Sequence, residues 1–165
     1  MPQITLVPWN DRHLDALRRA NAPELMAELG GPETEAQLLE RHERYLRLQG
    51  EGSARMFVIA TEEHPEGVGT IGYWADGHHE GAIETGWAVE AAHQGQGIAR
   101  AAIGAVVAHA RAEGRRGPLY AYPRVTNEAS NALCRKAGFR LEGVEEFEYP
   151  KGTWAASNVW ALPLD

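Results

Sequence analysis

The stretch with the clearest chemical content is Gln94-Gly95-Gln96-Gly97-Ile98-Ala99-Arg100, which follows a strand-like run ending at Val89 and opens a long amphipathic segment. Two glycines at the start of a helix describe an anion cradle. The first backbone N–H groups of a helix lack internal partners, the dipole is positive there, and glycine lets a phosphate approach the main chain. The same residues equally suit a tight strand-to-helix turn that binds nothing. Two other phosphate motifs are absent: there is no Gly-x-x-x-x-Gly-Lys-Ser/Thr, and the strands leading in read as antiparallel, unlike the βαβ opening of a dinucleotide fold. The seven histidines show no metal-ligand spacing, so no metal is expected. There is no Gly-x-Ser-x-Gly, and the single cysteine, Cys134, has no recognisable catalytic setting, which disfavours covalent catalysis.

The elements that must position this turn follow from periodicity and punctuation. Gln3 to Val7 reads as a strand ended by Pro8, and Asn10 or Asp11 is expected to cap a helix carrying Leu14 and Leu17. Thr34 is expected to cap a second helix, with Leu38, Leu39, Tyr45, Leu46 and Leu48 at helical spacing up to a Gly50-Glu51-Gly52 break. Met56 to Thr61, Val68 to Trp74 and Ala82 to Val89 then read as consecutive antiparallel strands. The helix from Gly97 to Glu113 buries Ile98, Ala102, Ile103, Val106, Val107 and Ala110, and Gly114 stops it. A strand at Leu119 to Tyr122, a helix at Asn127 to Ala137, and strands near Phe139 to Phe147 and Ser157 to Leu162 complete the chain. With no repeat or linker, this is a mixed α/β layout around one sheet, a single domain over residues 1–165.

Gln94-Gly95-Gln96-Gly97-Ile98-Ala99 resembles the Q/R-x-x-G-x-G/A signature of the GNAT N-acetyltransferase superfamily. Downstream, Asn127-Glu128-Ala129-Ser130-Asn131 through Gly138-Phe139 resembles that superfamily's Asn-x-x-Ala/Ser helix ending in Gly-Phe. The two motifs stand in the right order, the element order agrees over essentially the whole chain, and the flavour is closest to the RimJ/RimL-like branch. The resemblance implies a central, mostly antiparallel sheet with one splayed parallel strand pair, flanked by about four helices. It implies acetyl-CoA as co-substrate, with the pantetheine arm between the strands at Ile83 to Val89 and Leu119 to Tyr122. Trp87, Ala88 and Val89 would line the arm, with the Val89 backbone bonded to it. The amides of Gln94, Gly95, Gln96, Gly97, Ile98, Ala99 and Arg100 would hold the pyrophosphate. Asn127 would contact the arm from the other side, a role compatible with capping its helix.

By the same resemblance the reaction is direct attack of a primary amine, from a small molecule or a protein N-terminus, on the thioester. A protonated amine must first lose a proton, and Glu84, in Ile83-Glu84-Thr85-Gly86-Trp87, resembles the family position that often supplies the base. Where many members carry a tyrosine to protonate the departing thiolate, this chain has Cys134. That departure leaves Ser130, Cys134, Tyr120, Tyr122 and solvent all open as the proton source, and keeps a catalytically inactive acyl-CoA-binding module as the alternative function. The segments Asn21 to Pro32 and Tyr149 to Ser157 are expected to shape the acceptor site.

Charge bounds the partners. With 16 Lys and Arg against 23 Asp and Glu, the net charge of -7 argues against a nucleic-acid surface and favours a cationic acceptor. The start lacks a signal-peptide pattern and the longest largely apolar stretch, Ala101 to Ala110, is too short to span a bilayer, so no membrane partner and a cytoplasmic location are expected. Monomer and homodimer are both compatible with the sequence.

Overall fold

Met56 to Ala60 is apolar at every position, the pattern of a strand buried on both faces. The computed structural model, which describes residues 1–165, gives both faces a partner. This strand, β2 (Ala54–Ala60), lies between β1 (Thr5–Pro8) and β3 (Gly69–Ala75), and β4 (Ile83–Val89), β5 (Pro118–Ala121), β6 (Arg140–Glu148) and β7 (Trp154–Pro163) extend the sheet. The order across the sheet is β1-β2-β3-β4-β5-β7-β6, antiparallel throughout except for the parallel pair β4–β5. One face, with Phe57, Ile59, Ile71 and Leu119, packs under the helix α4 (Ile98–Ala112) through Ala102, Ile103, Val106 and Ala110. The other face receives α1 (Leu14–Ala20) and α3 (Glu35–Glu51), where Leu17 and Leu38 meet Met56, Val58 and Trp9.

The expected class and topology are present, with local corrections. Neither Asn10 nor Asp11 caps α1: the helix starts after His13, and the Asn10 side chain instead accepts the Arg12 N–H at 2.9 Å in a short turn. Thr34 does cap α3, in a reciprocal box with Gln37 (3.2 and 2.8 Å). That helix runs through Gly50 and stops only at Gly52, whose φ of 77° closes the C-terminus. Within the segment expected to be a loop, Pro23–Met26 forms a single turn, α2, which brings the flanking helices, expected to number about four, to five. The final strand begins at Trp154, three residues before the expected start, because the β6–β7 register pairs Glu148 with Trp154. No helix is long and apolar enough to cross a membrane.

The feature that matters most for function is where pairing stops. β4 and β5 share only the register pairs Ile83 with Leu119 and Glu84 with Tyr120, after which β4 continues through Thr85 to Val89 with no partner on that side. That edge of β4 is left unpaired just before the turn into α4, while β5 leads on to α5 (Glu128–Lys136).

Candidate active site

Strand alternation in β4 sends Ile83 and Val89 into the core and turns Glu84 to the opposite face. Glu84 sits between Trp74 on β3 and Tyr120 on β5, its cross-strand register partners, at the last position where β4 pairs with β5. Burial pushes its carboxyl up to about 7, the negative charge of Asp76 adds to the rise, and the Trp74 side chain, hydrogen-bonded to it, opposes it. A carboxyl there can take a proton and release it near neutral pH.

The Gly-rich turn leaves its amides open. Gly95 and Gly97 hold φ values of 77° and 81°, where a β-carbon is strained, and the amides of Gly95, Gln96 and Gly97 donate to no other residue. The first helical bond is Ala101 N–H to Gly97 O at 3.1 Å, no side chain caps α4, and its first turn carries no acid. Gln94 folds back so that Nε2 donates to Val89 O at 2.9 Å, tying the turn to the end of β4. Ile98 is anchored in the core, Trp87, Ala88 and Ala99 are half-buried, and Arg100 is exposed. These groups could hold a pyrophosphate and its arm. A surface hollow of about 870 Å³ lies elsewhere, between the N-terminal strand and α4, with Arg100 at its border.

On α5 the structure separates the proton-source candidates. Asn127 caps the helix, its Oδ1 accepting from Ser130 N at 3.2 Å. Ser130 is half-buried with its hydroxyl bonded to no other residue, whereas Cys134, one turn on, is fully buried in the main core, and burial pushes its thiol up to about 12. Burial raises both Tyr120 and Tyr122 above the ordinary phenol value, and Tyr122 already donates to Asp76.

Two structural groups escaped the sequence reading. Asn131, buried, accepts from Asn158 and Trp160 at 2.8 Å each and donates to the carbonyls of Arg124 and Asn127, pinning α5 to β7. Asp76 was legible only as the first residue of an Asp-Gly turn, since burial of a carboxylate leaves no periodic signal. The two segments expected to shape the acceptor site meet where Gly30 lies against Pro150; each also bonds to a neighbouring element, Glu28 accepting from Thr126 at 2.8 Å and the Tyr149 hydroxyl from Arg41 at 3.3 Å.

The acetyltransferase (GNAT) domain model matches residues 3–140 of this sequence. The chain belongs to the GNAT acetyltransferase family. The sequence is 30% identical over 119 residues to a ribosomal-protein-serine acetyltransferase of Escherichia coli (strain K12), a match covering 72% of this chain and 65% of the relative. It covers 59% of an N-acetyltransferase of Bacillus subtilis (strain 168), so the chain spans less than two thirds of the length of each of these curated relatives. Among solved structures, an acetyltransferase of Salmonella typhimurium that modifies the N-terminal serine of ribosomal protein L7/L12 superposes with a TM-score of 0.85 at 25% identity, covering 100% of this chain and 97% of that one. A RimL L7/L12 α-N-protein acetyltransferase in complex with coenzyme A superposes with a TM-score of 0.82 at 22% identity, covering 99% of this chain and 95% of that one. The GNAT sheet with its single parallel pair is therefore the architecture of the whole chain.

Proposed function

We propose that this GNAT domain is an acetyl-CoA-dependent N-acetyltransferase whose acceptor is the α-amine of a protein N-terminus. The observation that carries the reading is that one stretch of chain, β4 and the turn after it, holds both a half-buried carboxyl at Glu84 poised near neutral pH and three unsatisfied amides at Gly95 to Gly97. The Salmonella relative's described action on the N-terminal serine of ribosomal protein L7/L12, and the Escherichia coli relative's name as a ribosomal-protein-serine acetyltransferase, support the acceptor class.

Acetyl-CoA supplies an activated acetyl thioester. Its diphosphate suits the amides of Gln94 through Arg100, and its arm suits the opening walled by Trp87, Ala88 and Val89 on one side and Asn127 on the other. Glu84 takes the proton that frees the amine lone pair, the nitrogen bonds to the thioester carbonyl carbon, and the carbon–sulfur bond breaks. The leaving thiolate is protonated at the α5 side, where the free hydroxyl of Ser130 is better placed than the buried thiol of Cys134. The nitrogen sheds its second proton as the amide forms, sulfur takes one up and the proton held by Glu84 passes to solvent, so electrons and protons balance.

A second reading, an inactive acyl-CoA-binding module, is favoured only by the core position of Cys134 at the family's tyrosine position. The deciding experiment follows free thiol release from acetyl-CoA with a serine-initiated peptide, the same peptide blocked at its N-terminus, and a panel of small amines. Turnover with the free peptide alone supports the proposal. Turnover with small amines alone moves the acceptor class, and binding without turnover leaves the inactive module.

A further inference from the structure

Beside Glu84 lies a closed network that the reaction as written does not use. Asp76 follows β3 on the face that carries Trp74, and so stands diagonally across from Glu84. Its side chain is inaccessible to solvent. Three donors reach it: the N–H groups of His78 at 2.6 Å and His79 at 3.0 Å on Oδ1, and the Tyr122 hydroxyl on Oδ2. With its proton given to Asp76, the Tyr122 oxygen accepts from His79 Nδ1 at 2.8 Å, which assigns the imidazole its Nδ1–H tautomer. The His79 ring lies flat on Tyr120, with centroids 4.0 Å apart at 8°. Tyr122 therefore reaches from the end of β5 to the end of β3, across the strand that bears Glu84.

The charges in this network do not cancel. Glu33, Glu90 and Glu113 each meet an arginine, whereas Asp76 meets neutral donors and no arginine or lysine. The titratable groups around Glu84 are Asp76 from the end of β3, His78 and His79 from the turn, Tyr120 and Tyr122 from β5, and Glu142 of β6 behind Tyr120. Of these only the histidines can become cationic, and His79, about one-third exposed at 32%, is the one in contact with Asp76. A fixed negative charge without a counter-ion raises the cost of ionising a neighbouring carboxyl.

We propose that Asp76 is a positioning residue that sets the proton affinity of Glu84, with Tyr122 and His79 holding its carboxylate in place. The proposal rests on the reading of Glu84 as the catalytic base. Direct attack on a thioester at neutral pH requires a base that accepts a proton from an ammonium group, and a second carboxylate strengthens it without touching the substrate.

The test uses the full chain labelled with carbon-13 at its glutamate carboxyls, the Glu84 resonance being the one absent from Glu84→Gln. Its titration midpoint is compared in wild type, Asp76→Asn and Tyr122→Phe. Asp76→Asn keeps an acceptor for the two backbone donors and removes the charge, and the midpoint falls by about one unit. Tyr122→Phe keeps the charge and removes one donor, and the midpoint stays high. A midpoint unmoved in Asp76→Asn, or lowered equally in both variants, overturns the proposal. The acid limb of kcat/KM, measured with acetyl-CoA and a serine-initiated peptide, separates the two readings: a resonance that shifts while the limb stays fixed overturns Glu84 as the base and leaves the electrostatic coupling intact.

Discussion

At the scale of single residues, the proposed role of Glu84 as base sets stability against catalysis. Its folded-state value near 7 lies above the ordinary carboxyl value of 4.5, so the folded state favours the protonated form. Stability is unaffected while both states are protonated and is progressively lost as pH rises from the unfolded value through about 7. Glu84→Gln should therefore raise Tm at alkaline pH and leave it almost unchanged in acid, as thermal scans at the two pH values will report. The same variant should lower kcat/KM by roughly 10²–10⁴-fold with acetyl-CoA affinity retained, the usual span for removing a general base. In wild type, kcat/KM should rise with pH through about 7, since only the ionised carboxyl accepts the proton. The proton-source candidates separate in the same way. Ser130→Ala should lower kcat with little change in Tm, whereas Cys134→Ser places an unpaired hydroxyl in the main core and should cost about 1–3 kcal/mol of stability with kcat retained.

At the scale of elements, the strand-to-helix turn is the part the sequence described best. Glycines at 95 and 97 were read as places where main chain must stay bare, and both hold positive φ beside amides with no internal partner. Gly97→Glu adds strain at a φ of 81°, meets Pro2 Cδ at 3.3 Å with its β-carbon, and sets a negative charge on the anion site. Calorimetric titration with acetyl-CoA should show affinity reduced by about a hundredfold or more, and an unchanged affinity would remove the cradle. Helix stripes, the Thr34 cap and the three-strand meander were legible because period and punctuation are local signals. The start of α1 was not, because Asn10 spends its side chain on a turn that a cap would have used. Asn131 was invisible for a different reason: its partners Trp160, Asn158 and Arg124 come from other elements and converge only in the fold. Asn131→Ala should leave the Trp160 N–H buried without an acceptor, lowering stability by about 1–3 kcal/mol and loosening α5 against β7.

At the scale of the whole molecule, the proposed cofactor side and the proposed acceptor side are built from different stretches of chain, and this separates their effects. The cofactor side comes from β4, the Gly-rich turn and α5, which carry both recognisable motifs. The acceptor side comes from the turn after α2 and the β6–β7 hairpin, which meet where Gly30, at a φ of 91°, lies against Pro150. A β-carbon at Gly30 would stand 2.7 Å from Pro150 Cδ, so Gly30→Val must push the hairpin tip away. That displacement also pulls Tyr149 from Arg41, whose guanidinium is held in place by both oxygens of Glu33 at 2.8 Å. Small misplacements of a substrate-positioning wall cost rate steeply, so kcat/KM for a serine-initiated peptide should fall by roughly ten- to a hundredfold. Acetyl-CoA affinity should stay within error of wild type, because no contact of the cradle involves either segment. Loss of both together would mean that the two sides form one cooperative unit, and loss of neither would place the acceptor wall elsewhere on the Glu84 face.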